Sequence, residues 1–486
     1  MLVLHPHLHL HRHHPHHYHL PPDMLEGPIP RRMLSFALPI AASGMLQQLF
    51  NSTDVAVVGQ FAGHAALAAV GACSPVINLL INLFVGLSIG SNVVIAHLLG
   101  EGNDHGVRRA VHTSLLLALL SGIFLAGFGQ VVAYPILAAL STPDDVLPKA
   151  VLYLRVYFAG MPFLMLYNFA AAILRSKGDT RRPLHTLFIS GLINVSLNLF
   201  FVLGLGWGVE GVAMATVIAT AFSSYRLISF LRQEEGVLRV RLHQLRIDRH
   251  QLRKIALIGI PAGLQSCLFS FSNIMIQQSI NSLGTIAVAA ATAAMNFEYY
   301  LYFIANSLSQ TATTWIGQNY GAGRLDRCRT IARWSLIWGV SCTLLVSLVL
   351  VGFSRPLLHI FTANAAVIVL AQIRIWVISS TECLNAVVEA LTGILRAYGY
   401  SLVPTLISLL GIVGLRLTWI GTVFQMYPDF GVLSACYPIS WIVTSIALYI
   451  AYRWVQRPTG RPNKSSSVCL DLENSISKPP TYRYTY

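Results

Sequence analysis

Twelve times along this chain an apolar run reaches about 20 residues, the length a helix needs to cross the hydrocarbon core of a bilayer. The runs lie at about 33–60, 69–98, 110–134, 150–174, 184–205, 210–231, 254–282, 287–317, 330–353, 367–395, 402–424 and 432–454. Lipid offers a backbone amide no partner, so runs of this length must satisfy their own hydrogen bonds, and only helices do so within one segment. The whole chain is biased the same way: of 486 residues 55% are hydrophobic and 11% charged, where soluble domains carry about 25% charged residues. An all-α, polytopic membrane protein is predicted.

Charge then fixes the orientation. Net charge is +14, but the Lys and Arg sit in alternate short connections rather than on a basic face for nucleic acid. Arg31 and Arg32 precede the first run; Arg108 and Arg109 follow the second; Arg175, Lys177, Arg181 and Arg182 follow the fourth. Arg232 through Lys254 follow the sixth, Arg324, Arg327 and Arg329 the eighth, and Arg453 and Arg457 the twelfth. The other connections hold Asp144, Asp145, Glu210 and Asp429, with Lys149 and Arg355 as exceptions. By the positive-inside rule both termini are expected in the cytoplasm. The seven cysteines are scattered without a CxxC pair, against a disulfide framework or zinc site. No cleavable signal peptide is evident. The His-rich stretch of residues 1–30 and the Ser- and Pro-containing tail 456–486 read as disordered extensions.

The membrane region is an internal repeat. Gly100-Glu101-Gly102 answers Gly321-Ala322-Gly323, and Ile173-Leu174-Arg175 with Gly178 and Pro183 answers Ile394-Leu395-Arg396 with Gly399 and Pro404, each 221 residues on. Pro39 answers Pro261, 222 residues on. Six runs per copy is an even number, so the copies share orientation and are related by a pseudo-two-fold axis along the membrane normal, an arrangement suited to transporters. The expected organisation is twelve transmembrane helices in two six-helix lobes, 31–232 and 254–455, joined by a basic, amphipathic connector at 233–253 on the cytoplasmic face. That connector has the composition of an anionic-lipid contact as well as of a plain linker. The two Gly-rich turns are not phosphate loops, lacking the Lys-Ser/Thr ending.

A lone carboxylate, Asp54, stands deep in the first run. At mid-bilayer it costs about 2.5–3.5 kcal/mol, so such a residue faces a bundle interior or wet cavity and marks an ion pathway, or is paired structurally to a neighbouring helix.

These residues resemble the multidrug and toxic compound extrusion (MATE) transporters of prokaryotes over about residues 31–455. The carriers are Leu38-Pro39, Asp54-Val55-Ala56-Val57-Val58-Gly59, Gly317-Gln318-Asn319-Tyr320-Gly321-Ala322-Gly323 and the paired Leu-Arg-x-x-Gly turns at Leu174 and Leu395. Phe158-Ala159-Gly160-Met161-Pro162 and Ile260-Pro261-Ala262-Gly263-Leu264-Gln265-Ser266 look most like the damage-inducible protein F-like branch. The resemblance implies export of amphipathic, often cationic compounds in exchange for H⁺ or Na⁺, by a protein of the bacterial inner membrane that is a monomer and needs no cofactor. It implies a cation-coupling pocket of Asp54, Asn194, Asn198 and Thr216, holding either a proton or Na⁺. Asn194 and Asn198 are four apart and share a helix face; their alternative role is to glue helices together. Asn198 stands where the branch often has a second acid, which favours proton coupling through Asp54.

In the second half Glu298 and Glu389 are acids inside the membrane, with Glu382 nearer the outer part of the same run. Glu389 and Asn168 are repeat mates, each seven before its Arg. Other branches place an Asp where this chain has Asn385, one turn before Glu389, which shares that face. Arg416 is the expected partner of one of these acids, either in a static Glu389–Arg416 bridge or by exchanging Glu298 or Glu389 with substrate and H⁺. Tyr299, Tyr300, Tyr302 and Phe303 beside Glu298 suit a planar cation, or are plain packing. The rival function is a lipid-linked oligosaccharide flippase, for which basic cavity residues are expected instead of acids. A membrane-embedded enzyme or receptor predicts no internal repeat.

Overall fold

The computed structural model describes residues 24–140, 142–359 and 363–457, and contains helices and no strand among them. The His-rich start up to residue 23 and the tail from 458 lie outside the described residues.

Six helices form each lobe. The first lobe holds α1 (Ile29–Phe61), α2 (His64–Glu101), α3 (Asp104–Ala139), α4 in two segments (Leu147–Ala159 and Met161–Lys177), α5 (Arg181–Gly204) and α6 (Val209–Gln233). The second holds α7 (Arg249–Ser282), α8 (Thr285–Gly321), α9 (Leu325–Gly352), α10 (Ala365–Ala397), α11 (Leu402–Met426) and α12 (Phe430–Val455). Ten are long and apolar enough to span a membrane, and the segments of α4, bent by 47°, make an eleventh span. The bend falls at Gly160-Met161-Pro162, where a proline without an N–H starts the second segment.

The remaining helix, α8, covers the expected run at 287–317 but is less apolar than the others. It is a 37-residue helix, but one interrupted by Asn296, Glu298, Asn306, Gln310, Gln318 and Asn319. Its buried Thr311 and Thr313 return their hydroxyls to the carbonyls of Ser307 and Ser309, while Glu298 and Gln318 find partners on other helices. This helix borders the other lobe rather than lipid alone, which is why it tolerates polar residues.

The sequence repeat reappears as repeated local geometry. Gly102 and Gly323, and Gly178 and Gly399, are left-handed residues closing α2, α8, α4 and α10. Thr180, before α5, donates its hydroxyl to the Phe36 carbonyl near Pro39 at 3.1 Å; Ser401, before α11, does the same to Ile258 near Pro261. Each of α5 and α11 carries a π-helical turn, Phe200–Gly204 and Leu409–Gly414, a wide turn that often sits beside functional residues.

The lobes meet along α2. Added Cβ atoms at Gly86 and Gly90 would lie 2.2 and 2.3 Å from Gly263 N and Ile255 O of α7, and one at Gly100 would lie 1.9 Å from Gln318 O of α8. Reciprocally, a Cβ at Gly321 would reach 2.1 Å from His97 O. Glycine is what lets these backbones touch. The contact lies toward the Lys- and Arg-bearing end; at the other end Gly71 of α2 has nothing within 4 Å. Polar clasps reinforce it: Thr314 donates to Asn92 Oδ1 at 3.0 Å, Asn92 donates to Ser176 Oγ at 3.1 Å, and Gln318 donates to the Ser176 carbonyl. The start of α1 crosses onto the second lobe, with Met33, Phe36 and Ile40 packed among Ala312, Trp315 and Ile331.

Candidate functional site

In the first lobe Asp54 and the two asparagines come together. A Cβ on Gly191 would lie 1.7 Å from the Phe50 ring, so α5 approaches α1 closely one turn from Asp54. At that distance Asn194 and Asn198, both buried, reach the carboxylate from one helix face. Asn194 Nδ2 donates to Asp54 Oδ1 at 2.7 Å, and Asn198 Nδ2 donates to the same oxygen. Thr216 on α6 donates to Asn194 Oδ1 at 3.5 Å and to the Val212 carbonyl at 3.1 Å. Neither amide engages the other carboxylate oxygen, Oδ2, and the Thr216 hydroxyl also lies within reach of the carboxylate. Asn198 Oδ1 is buried and without a partner. The π turn begins two residues after Asn198. Sequence reasoning missed Tyr153 and Tyr157 on α4, which feel the Asp54 charge; their one-turn spacing in an apolar run was the available signal.

The second lobe differs from expectation. Glu298 is gripped by Arg374 of α10, a residue not anticipated as a partner: Arg374 Nε donates to Oε1 at 2.9 Å and Nη2 to Oε2 at 3.1 Å. This is a bidentate fork on a carboxylate, and Arg374 is 2% exposed. An Arg alone in an apolar run was the signal that it needed an acid.

In this conformation Arg416 pairs with neither Glu389 nor Glu298, which corrects the expected static Glu389–Arg416 bridge. Its guanidinium lies 4.2 Å from the Tyr437 ring centre and 6.0 Å from that of Trp441, with Nε donating to Ser440 Oγ at 3.0 Å. The cation–π faces frame the guanidinium, and Glu382 of α10 is the acid near enough to sense its charge. Its two Nη groups make no hydrogen bond among the described residues. The reason is positional: Arg416 follows the π turn of α11 and is turned onto α12.

Asn385 donates to Glu382 Oε1 at 3.0 Å, so the acid beside that position is Glu382 rather than Glu389. Glu389 instead feels the charge of Arg396, whose Nη2 donates to Gln265 Oε1. Asn168 is half-buried and its side chain makes no hydrogen bond among the described residues. Tyr299, Tyr300 and Tyr302 are 41–45% exposed, so they line a lipid-facing or open surface rather than the packed core. Among the described residues no group of three or more His, Cys, Asp or Glu is arranged for a metal.

The Gly317–Gly323 motif is a clasp. Gln318 and Gly321 hold the other lobe as described, and Asn319 donates to the Met24 carbonyl at 2.9 Å while accepting from Arg327 Nε at 3.0 Å.

The MatE family pattern matches residues 39–200 and again 261–419, the second match starting 222 residues after the first, as the internal repeat requires. The probable multidrug resistance protein YoeA of Bacillus subtilis is 28% identical over 87% of this chain and 94% of that protein. A protein of Shewanella oneidensis named FAD transporter is 27% identical over 90% of this chain and 97% of its own length. Among solved structures, the Vibrio cholerae MATE transporter VcmN superposes with a TM-score of 0.83 at 22% identity, covering 89% of this chain and 98% of that one. A multidrug resistance MATE transporter in an outward-facing conformation also gives 0.83, at 20% identity over 89% and 97%. Two copies of the family pattern, two six-helix lobes and relatives matched over nearly their whole length lead to one conclusion: the chain belongs to the MatE family of multi-pass membrane transporters.

Proposed function

We propose that this chain is a secondary antiporter of the bacterial inner membrane, with both termini cytoplasmic, that works as a monomer to export amphipathic, often cationic compounds in exchange for H⁺ or Na⁺. The observation that carries the reading is the Asp54 pocket: two amides both donate to Oδ1 and neither engages Oδ2. A carboxylate held this way is oriented but not neutralised, so an entering cation completes its coordination. A proton needs only Oδ2. Sodium also needs neutral oxygens, which Asn198 Oδ1 and Thr216 Oγ1 supply once the amides turn. Occupancy changes the charge where α1, α5 and α6 meet, and α1 also packs on the second lobe. Cation binding is thereby linked to how the lobes sit against each other, and closure along α2 at the basic end corresponds to a cavity open to the other side.

Efflux of a fluorescent organic cation from proteoliposomes, under Na⁺ and pH gradients imposed separately, tests this. Efflux under either gradient, abolished by Asp54→Asn, supports the proposal; efflux insensitive to that substitution refutes the role of Asp54. Silence under both gradients with folded protein favours the flippase.

Arg416 favours a second reading of the substrate. A buried guanidinium with free Nη groups, framed by Tyr437 and Trp441, suits an anionic group on an aromatic compound. The FAD transporter among the relatives is consistent with that chemistry. Arg416→Gln would then reduce export of an aromatic anion while leaving that of a cation intact.

A further inference from the structure

At the basic end of the first lobe, away from the Asp54 pocket, the start of α3 and the connector enclose a cavity of about 570 Å³. Its charged lining is Arg108, Arg109, His112, His243, Arg246 and Asp248. We infer that this cavity is a binding site for a phosphate-bearing anion, with the headgroup of an anionic phospholipid as the ligand its surroundings favour.

Three observations lead there. The first is charge. Three guanidinium groups face a single carboxylate, and that carboxylate is engaged elsewhere: Asp248 Oδ1 accepts from His250 N at 3.0 Å as the N-cap of α7. Its approach to Arg109 is loose, 3.8 Å, with the Arg109 side chain 68% exposed. Arg108 and Arg246 form no ion pair among the described residues. Arginines spared an acid and gathered round one hollow suit a bidentate oxyanion.

The second is rigidity. His112, 4% exposed, takes the Arg241 amide on Nε2 at 3.2 Å and lies 2.7 Å from the Arg108 carbonyl through Nδ1, so Nδ1 is the donor and Nε2 the acceptor. Thr113 donates to the Arg246 carbonyl at 3.3 Å and accepts from Asp248 N at 3.0 Å. Two adjacent residues of α3 thus fix both edges of the connector. Val237, Leu238 and Val240 are buried in the first lobe's core, so the segment is a built wall and not a loose strip.

The third is position. The cavity sits at the first turns of a membrane helix on the side rich in Lys and Arg, where anionic headgroups lie. Leu245 lines it and Leu242 beside it is 53% exposed, giving an acyl chain an apolar edge that a free phosphate does not use. A cavity of this size accommodates a phosphoglycerol headgroup.

The test uses the purified full-length protein in detergent, with binding read as thermal stabilisation during titration with phosphatidylglycerol, phosphatidylcholine, glycerol 3-phosphate or inorganic phosphate. Phosphatidylglycerol should stabilise and phosphatidylcholine should not. Each arginine near an anionic surface contributes about fivefold in affinity, so Arg108→Gln with Arg246→Gln should weaken binding about 25-fold. The corresponding double Lys variant should recover most of it. Exposed arginines elsewhere at the same end, Arg181→Gln and Arg253→Gln, should change little. Equal stabilisation by glycerol 3-phosphate or inorganic phosphate, lost in the same double variant, sustains the phosphate site with a free anion as its source. No anion-dependent stabilisation, or equal weakening by the two control substitutions, overturns the proposal.

Discussion

Replacing Arg374 by glutamine separates a charge-reading Glu298 from one locked in a structural pair. The pair is almost dry: Arg374 is 2% exposed and the Glu298 side chain 15%. Both carboxylate oxygens are used, at 2.9 and 3.1 Å. Removing one member of such a pair strands the other charge in a low-dielectric interior, at a cost of about 3–5 kcal/mol. Removing both as Glu298→Gln with Arg374→Gln leaves two neutral amides able to bond each other, so most of that cost disappears. A double-mutant cycle should therefore give a coupling energy of about 3 kcal/mol, measured by unfolding titrations in mixed micelles. Each single variant should be markedly less stable than the double. In proteoliposomes the single variants should lower efflux of cationic and neutral compounds together, because the lesion is in packing and not in substrate charge. Single-variant effects that add to the double within about 0.5 kcal/mol would sink the pair reading. A loss confined to cationic substrates would return Glu298 to substrate recognition.

Three further outcomes follow from the same geometry. Asp54→Asn should lower gradient-driven efflux by about tenfold or more without loss of stability, since the amide keeps its place between Asn194 and Asn198; unchanged efflux would remove Asp54 from coupling. Asn198→Asp adds a second acid beside Oδ1 and should shift coupling toward Na⁺, read as a Na⁺-dependent rise in efflux at fixed pH; no Na⁺ response would show that the extra carboxylate does not complete an ion site. Gly321→Leu places a Cβ 2.1 Å from His97 O and should prop the lobes apart at the basic end, making the cysteine of Ala96→Cys, at a buried position facing Gly317, reactive to a membrane-impermeant thiol reagent from that side; continued protection would mean that the clasp is not the closing contact.

Much of the architecture was legible because it is set locally. Bilayer thickness imposes run length, so the spans could be counted in the sequence, and a left-handed turn needs glycine wherever it occurs, so Gly102, Gly178, Gly323 and Gly399 announced a repeat that the backbone then follows. The four-residue spacing of Asn194 and Asn198 put them on one face for the same reason. The run of α8 was legible too, though its lower apolar content reflects a helix that lies against the other lobe.

Charge partners are another matter. Sequence lists the intramembrane Glu and Arg residues but says nothing of which helices cross at which depth. Only the packed lobes decided that Arg374 takes Glu298, that the π turn of α11 aims Arg416 at Tyr437 and Trp441, and that Glu389 is left nearer Arg396. The same holds for the connector: its alternating Arg and aliphatic residues have the pattern of a surface strip, yet Val237, Leu238 and Val240 are buried and Arg246 joins Arg108 and Arg109 of α3 round a cavity. Periodicity and composition act within one helix and are written in consecutive residues; pairing and cavity formation depend on distances between segments hundreds of residues apart, which only tertiary structure sets.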